Sequence, residues 1–154
     1  MAKLTDGFKT LIAITGITAL FEEIEVTPPE LDANGVIDQT TMRNGRYRTN
    51  LGKKLVTLGT ISVVVAYDSN VIPQMQNILG SNRQIVITFP DGATFTFYAV
   101  VNKFTPDALK EGERPQATLE LIPSNLSTAA TPAEIGPVLA NVVTTTTTTT
   151  TPAP

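Results

Sequence analysis

The carboxylates beside an arginine are the residues of this chain whose types come nearest to a catalytic set. Glu111, Glu113 and Arg114 lie in one charged stretch, and Asp91 sits in the turn Pro90-Asp91-Gly92. Two carboxylates can share acid and base roles when their surroundings drive their pKa values apart. These lie on turns among polar residues, the setting of solvated ion pairs that contribute little. A carboxylate-based hydrolase using Asp91, Glu111 or Glu113 would therefore lack a supporting constellation. The 154 residues hold no histidine and no cysteine. That removes the Ser-His-Asp triad, cysteine nucleophiles, thiolate zinc centres, disulfides and the commonest metal ligand. The chain reads as a non-enzyme, with no cofactor and no metal site.

A second group of residues has the chemistry of recognition. The 37–54 stretch, IDQTTMRNGRYRTNLGKK, carries Arg43, Arg46, Arg48, Lys53 and Lys54, with Asp38, Thr41, Met42, Asn44 and Tyr47 among them. It has no convincing periodicity, and a loop of this length inside one domain is usually functional or disordered. An acidic group precedes it and overlaps its start: Glu22, Glu23, Glu25, Glu30, Asp32 and Asp38. Three readings follow. The loop is solvated; or it docks on an acidic surface, such as the 22–38 region of another copy; or it touches nucleic acid. Tyr47 alone is no stacking platform, and a net charge of −3 does not suggest a sequence-specific DNA reader.

The elements that hold these residues are mostly strands. In 83–125, Ile85, Ile87 and Phe89 share one face, as do Phe95, Phe97, Ala99 and Val101, and again Ala117, Leu119 and Leu121. Alternation of this kind marks half-buried strands. Pro90-Asp91-Gly92 has the composition of a tight turn, so the stretch predicts an antiparallel meander. Residues 20–27 predict a strand ended by Pro28-Pro29, and Asn34-Gly35 predicts a turn. Residues 55–67 are apolar on both faces, as in a central strand. Val71, Ile72, Met75, Ile78 and Leu79 form one helical stripe, with Asp68, Ser69 and Asn70 as candidate caps and Gly80 as the stop.

The ends differ from this middle. Residues 8–20 are apolar and β-prone, including Leu11, Ile12, Ile14 and Ile17. They read either as an edge strand or as an arm reaching a neighbouring subunit, since an exposed flat edge invites pairing. After Asn125 the composition turns to Ser, Thr, Ala and Pro and ends in a threonine run. Such a tail has little apolar surface with which to fold by itself. The expected organisation is an arm over 1–18, one β domain over 19–125 and an extension over 126–154. No signal peptide is read at the N-terminus, and no apolar run is long enough for a membrane helix. A soluble chain made in a cytoplasm, without membrane binding, is the expectation.

Four stretches within residues 21–125 carry a family resemblance: EVTPPELDANGVIDQTTMRN (25–44), KKLVTLGTISVVVAYD (53–68), TFPDGATFTFYAVVNKFTP (88–106) and EGERPQATLELIPSN (111–125). Each is weak singly; in this order they are more specific. The combination resembles the phage major tail tube proteins of long non-contractile (siphophage-type) tails. The resemblance implies a mainly β fold, an antiparallel β-sandwich or barrel-like domain flanked by one α-helix. It further implies hexameric rings stacked into a hollow tube that conducts double-stranded DNA without sequence preference. Tape-measure, tail-tip and terminator proteins would be its partners, and the virion tail its place. Contractile-tail tubes and the type VI secretion tube share the implied architecture. The threonine-rich end departs from the family pattern.

On this reading the ring and stacking contacts fall to Asp38, Thr41, Met42, Arg43, Asn44, Arg46, Tyr47 and Arg48, to Glu22, Glu23 and Glu25, and to Leu11, Ile12 and Ile14. Met42 and Tyr47 would become buried on assembly and the arginines would meet acidic partners. The alternative is a non-catalytic β-sandwich that binds or decorates a virion surface, disfavoured by the absence of tryptophan and the presence of only three tyrosines.

Overall fold

A computed structural model describes residues 6–17 and 21–141. The expected features at 1–5, at 18–20 and in the threonine run beyond Asn141 lie outside the described residues. In chain order the strands are β1 (Leu11–Ile14), β2 (Glu23–Thr27), β3 (Leu31–Asp32), β4 (Val36–Asp38), β5 (Asn50–Gly52), β6 (Thr57–Leu58) and β7 (Ile61–Ala66). Helix α1 (Val71–Ile78) follows, then β8 (Asn82–Thr88), β9 (Thr94–Pro106), β10 (Gln116–Pro123) and β11 (Val138–Ala140).

The main sheet is antiparallel with the order β1-β8-β9-β10-β7-β2, and β11 joins it along β9. The fold is mainly β with one helix, as expected. The meander forms because alternation puts one face of each strand inside: Ile85 and Ile87 on β8, Phe97, Ala99 and Val101 on β9, Ala117, Leu119 and Leu121 on β10 are all buried. Ile61, Val63 and Val65 complete that face from β7, while Ser62, Val64 and Ala66 are only half-buried. So β7 is a central strand covered fully on one side. Pairing shifts between Glu120 and Leu121. This irregularity reverses the alternation on β9, so that Phe104, three positions after Val101, also packs on the core.

The sheet curls until its two end strands meet. β1 and β2 are in contact, and the Ile12 N–H donates to Glu23 Oε1 at 2.9 Å. Helix α1 closes the interior with Val71, Met75 and Ile78, spaced to share one face and all buried. Asn70 precedes the helix but makes no side-chain cap; instead the Asp68 carboxylate accepts the Asn70 N–H at 2.9 Å. Gly80 ends the helix at φ +78, where L side chains are strained. The turn at 90–92 is as expected, with the Asp91 carboxylate accepting the Ala93 N–H at 3.0 Å.

Three regions differ from the sequence expectations. Within residues 8–20, read either as an edge strand or as an arm, residues 11–14 form the edge strand: they pair with β8 and bury Ile12 and Ile14 in this chain's own core, leaving Leu11 exposed. The 37–54 stretch is no irregular loop over its whole length. Its ends pair as β4 with β5, and β3 pairs with β6 just outside them, making a long ribbon. The stretch 55–67 is consequently divided between β6 in the ribbon and β7 in the sheet. Finally, residues 126–141 return along the domain. Asn82 Nδ2 donates to the Leu126 carbonyl at 2.7 Å, the Ile135 N–H to the Asn125 carbonyl at 2.9 Å, and β11 pairs with Thr94–Thr96. Backbone pairing therefore orders a segment too poor in apolar residues to form a core.

Candidate assembly interface

The ribbon leaves the domain beside Gly59, whose N–H donates to the Glu30 carbonyl at 2.8 Å. A Cβ at Gly59 would stand 3.0 Å from the Glu30 Cβ, so the close approach favours glycine. Between its two paired parts the ribbon is interrupted at Asn34 (φ 59) and Gly35 (φ 83). This dipeptide, read from sequence as a turn, instead interrupts a strand that continues in the same direction. The Asn34 side chain bridges to the opposite strand, donating to Thr57 Oγ1 at 2.7 Å and to the Leu55 carbonyl at 3.3 Å.

Asn44 organises the tip. Its Oδ1 accepts the Thr41 N–H at 2.9 Å and the Thr41 hydroxyl at 3.0 Å. Its Nδ2 donates to the Tyr47 carbonyl at 3.0 Å and to Thr49 Oγ1 at 3.3 Å. Below it, the Thr40 N–H donates to Asp38 Oδ1 at 2.8 Å, and Thr40 Oγ1 accepts the Thr49 N–H at 3.1 Å. Hydrogen bonds from the Thr40 hydroxyl and then its N–H hold the Asp38 carboxyl below the ordinary aspartate value. Arg48 stands 3.6 Å from Asp38, with both side chains exposed, so this ion pair adds little.

The tip thus has a defined shape but no core. Met42 is fully exposed at 104% and Tyr47 is 78% exposed. Leu31, Val36, Ile37, Leu51, Leu55 and Val56 along the ribbon are exposed as well. A two-stranded hairpin alone is marginally stable, and exposed apolar side chains gathered on one element make a candidate interaction surface.

The contacts expected of the arginines lie between copies; within one chain the acidic residues have other partners. Glu22 pairs with Arg114 at 3.2 Å, and Glu23 accepts the Ile12 N–H. Within the chain none of Arg43, Arg46 and Arg48 pairs with Glu22, Glu23 or Glu25; among the described residues Arg43, Arg46 and Glu25 form no ion pair at all. The turn carboxylates are likewise dispersed: Asp91 holds its own turn and Glu113 lies 3.8 Å from Lys110. No cluster of metal-ligating side chains occurs among the described residues, and no helix there is long and apolar enough to cross a membrane. Sequence reasoning missed Asn34, Thr40 and Thr49. Only Asn34 had a signal, as half of Asn-Gly.

No family model and no curated protein sequence matches the chain. Among solved structures, a chain in the cryo-EM structure of the anti-feeding prophage (AFP) baseplate, 6-fold symmetrised, is similar in fold. The TM-score is 0.60 at 13% identity, covering 86% of this chain and 91% of that chain. At this identity the likeness extends to the fold.

Proposed function

We propose that this chain is a structural subunit of a phage-type tail, in which copies close into hexameric rings that stack as a hollow tube for genome passage. The observation that carries this reading is the ribbon of residues 31–58, which exposes Met42, Tyr47 and a row of aliphatic side chains outside the domain core. Such a ribbon gains most by packing on another molecule. The resemblance to a component of a 6-fold symmetrised baseplate supports assembly around an axis, and a head-to-tail contact that closes gives a ring. Tape-measure, tail-tip and terminator proteins would be the partners. DNA would pass without base-specific contacts, aided by a mildly acidic chain of net charge −3. The virion tail is the proposed location, after synthesis in the host cytoplasm. The long non-contractile tail class rests on the sequence resemblance alone.

A second reading is a ring at the end of a tail, favoured by the baseplate origin of the similar structure. Negative-stain electron microscopy with sedimentation of the purified full chain separates the two. Long hollow tubes support the tube subunit, whereas single or short-stacked rings support the baseplate reading. A chain that stays monomeric at high concentration, with tail-tip proteins added, overturns both.

A further inference from the structure

Where the ribbon meets the returning C-terminal segment there is an open groove of about 330 Å³. Leu31, Leu55, Val56, Leu58 and Pro137 give it an apolar lining. Asn125 also lines it, held at φ +52, and the buried Asn125 Oδ1 has no hydrogen-bond partner among the described residues. Glu134 is the groove's carboxylate, with Lys54 on the same lining.

The other end of the ribbon has the complementary chemistry. Tyr47 is an exposed ring with a hydroxyl donor, and Met42 is an adaptable apolar side chain beside it in the same tip. Arg43 and Arg46 are exposed there without an acidic partner among the described residues. We infer that the hairpin tip of one copy docks in the groove between ribbon base and C-terminal segment of a second copy, with Tyr47 in the apolar groove and Arg46 beside Glu134. This rests on the self-assembly proposed above and identifies the two surfaces involved. Donor and acceptor surfaces lie at opposite ends of one ribbon, so each copy can give one contact and receive another. The contact is head-to-tail, which propagates rather than stopping at a dimer.

The test replaces Tyr47 by the photo-cross-linking amino acid p-benzoylphenylalanine, which keeps an aromatic ring. Isotope-labelled and unlabelled full-length chains are mixed, assembled, irradiated and digested for mass spectrometry. The expected cross-links join position 47 of one copy to residues 54–58 or 125–137 of a differently labelled copy. Cross-links confined to other surfaces, or to the same chain, overturn the inference. A charge cycle gives an independent result. Arg46→Glu and Glu134→Arg should each raise the critical concentration for assembly about tenfold, and the pair together should return it to within about threefold of the unmodified chain. Single variants without effect, or a pair no better than the worse single, overturn the docking. Failure of the unmodified chain to assemble at all overturns the proposed function, and this contact with it; intact assembly with the wrong cross-links overturns the contact alone.

Discussion

The Glu23 carboxylate accepts the Ile12 N–H at 2.9 Å, and in doing so ties the last strand of the curled sheet to the first. An edge strand with free N–H groups is a template for pairing with another chain. Glu23 occupies one such donor. Glu23→Ala should lower the unfolding free energy by about 1.5–3 kcal/mol, the range for a hydrogen bond to a charged acceptor. It should also increase aggregation. Urea denaturation and light scattering measure the two effects, and an unchanged midpoint would show that the seam is held by packing alone.

Phe97 is the largest fully buried side chain, at 1% exposure on β9. Phe97→Ala should cost about 3–5 kcal/mol through lost burial and the cavity left behind. Calorimetry or chemical denaturation of the full chain reads this loss directly. A change below about 1 kcal/mol would mean that the surrounding sheet collapses around the void.

Asn44→Ala removes the side-chain bonds to Thr41, Tyr47 and Thr49 and leaves the sheet untouched. The expected outcome is global stability within about 0.5 kcal/mol of the parent, as for substitutions remote from a core. Trypsin cleavage after Arg43, Arg46 or Arg48 should become at least about threefold faster, since local opening governs proteolysis of such a tip. Cleavage at the parent's rate would show that the Thr40–Thr49 bond suffices to hold it.

The Asp38 carboxyl is held below the ordinary aspartate value by Thr40. A depressed carboxyl pKa favours the folded tip above the unfolded value, and that contribution is lost as pH falls through the folded value. In an NMR titration the Thr40 amide should therefore shift with a midpoint below that of an unstructured aspartate. Asp38→Asn should abolish the transition. A midpoint at the ordinary value would show that the Thr40 bonds do not persist in solution.

Replacing Arg43, Arg46 and Arg48 together by glutamate should leave the circular dichroism spectrum and melting unchanged while blocking tubes or stacked rings. The three side chains are exposed, so their reversal acts on partners rather than on the core. Normal assembly of that variant, seen by electron microscopy, would remove the basic tip from the interface.

The meander and the helix were legible because burial there follows a simple period. Ile85, Ile87, Phe97, Ala99, Leu119 and Leu121 alternate with half-exposed neighbours, and Val71, Met75 and Ile78 recur at helical spacing. The ribbon was not legible for the opposite reason. Its strands have two or three residues each, and all but Leu58 are exposed, so no burial pattern is written into them. The basic tip and its exposed Met42 and Tyr47 could be identified by composition, but their support by Thr40 and Thr49 could not, since threonines at those spacings carry no signal of pairing. Ile12 and Ile14 show a further limit: an apolar terminal strand has the same pattern whether it completes its own sheet or a neighbour's. The groove depends on the return of residues 126–141, which composition alone assigns to a tail.

Among the described residues, the buried set contains no polar or charged side chain. An interior of this kind sets few demands on the identity of any one residue. Aliphatic side chains can exchange for one another as long as volume and alternation are kept. Isoleucine, valine and leucine on β7, β8 and β10 can then be exchanged while the curl of the sheet persists. A fold held in this way is specified by its pattern more than by its letters.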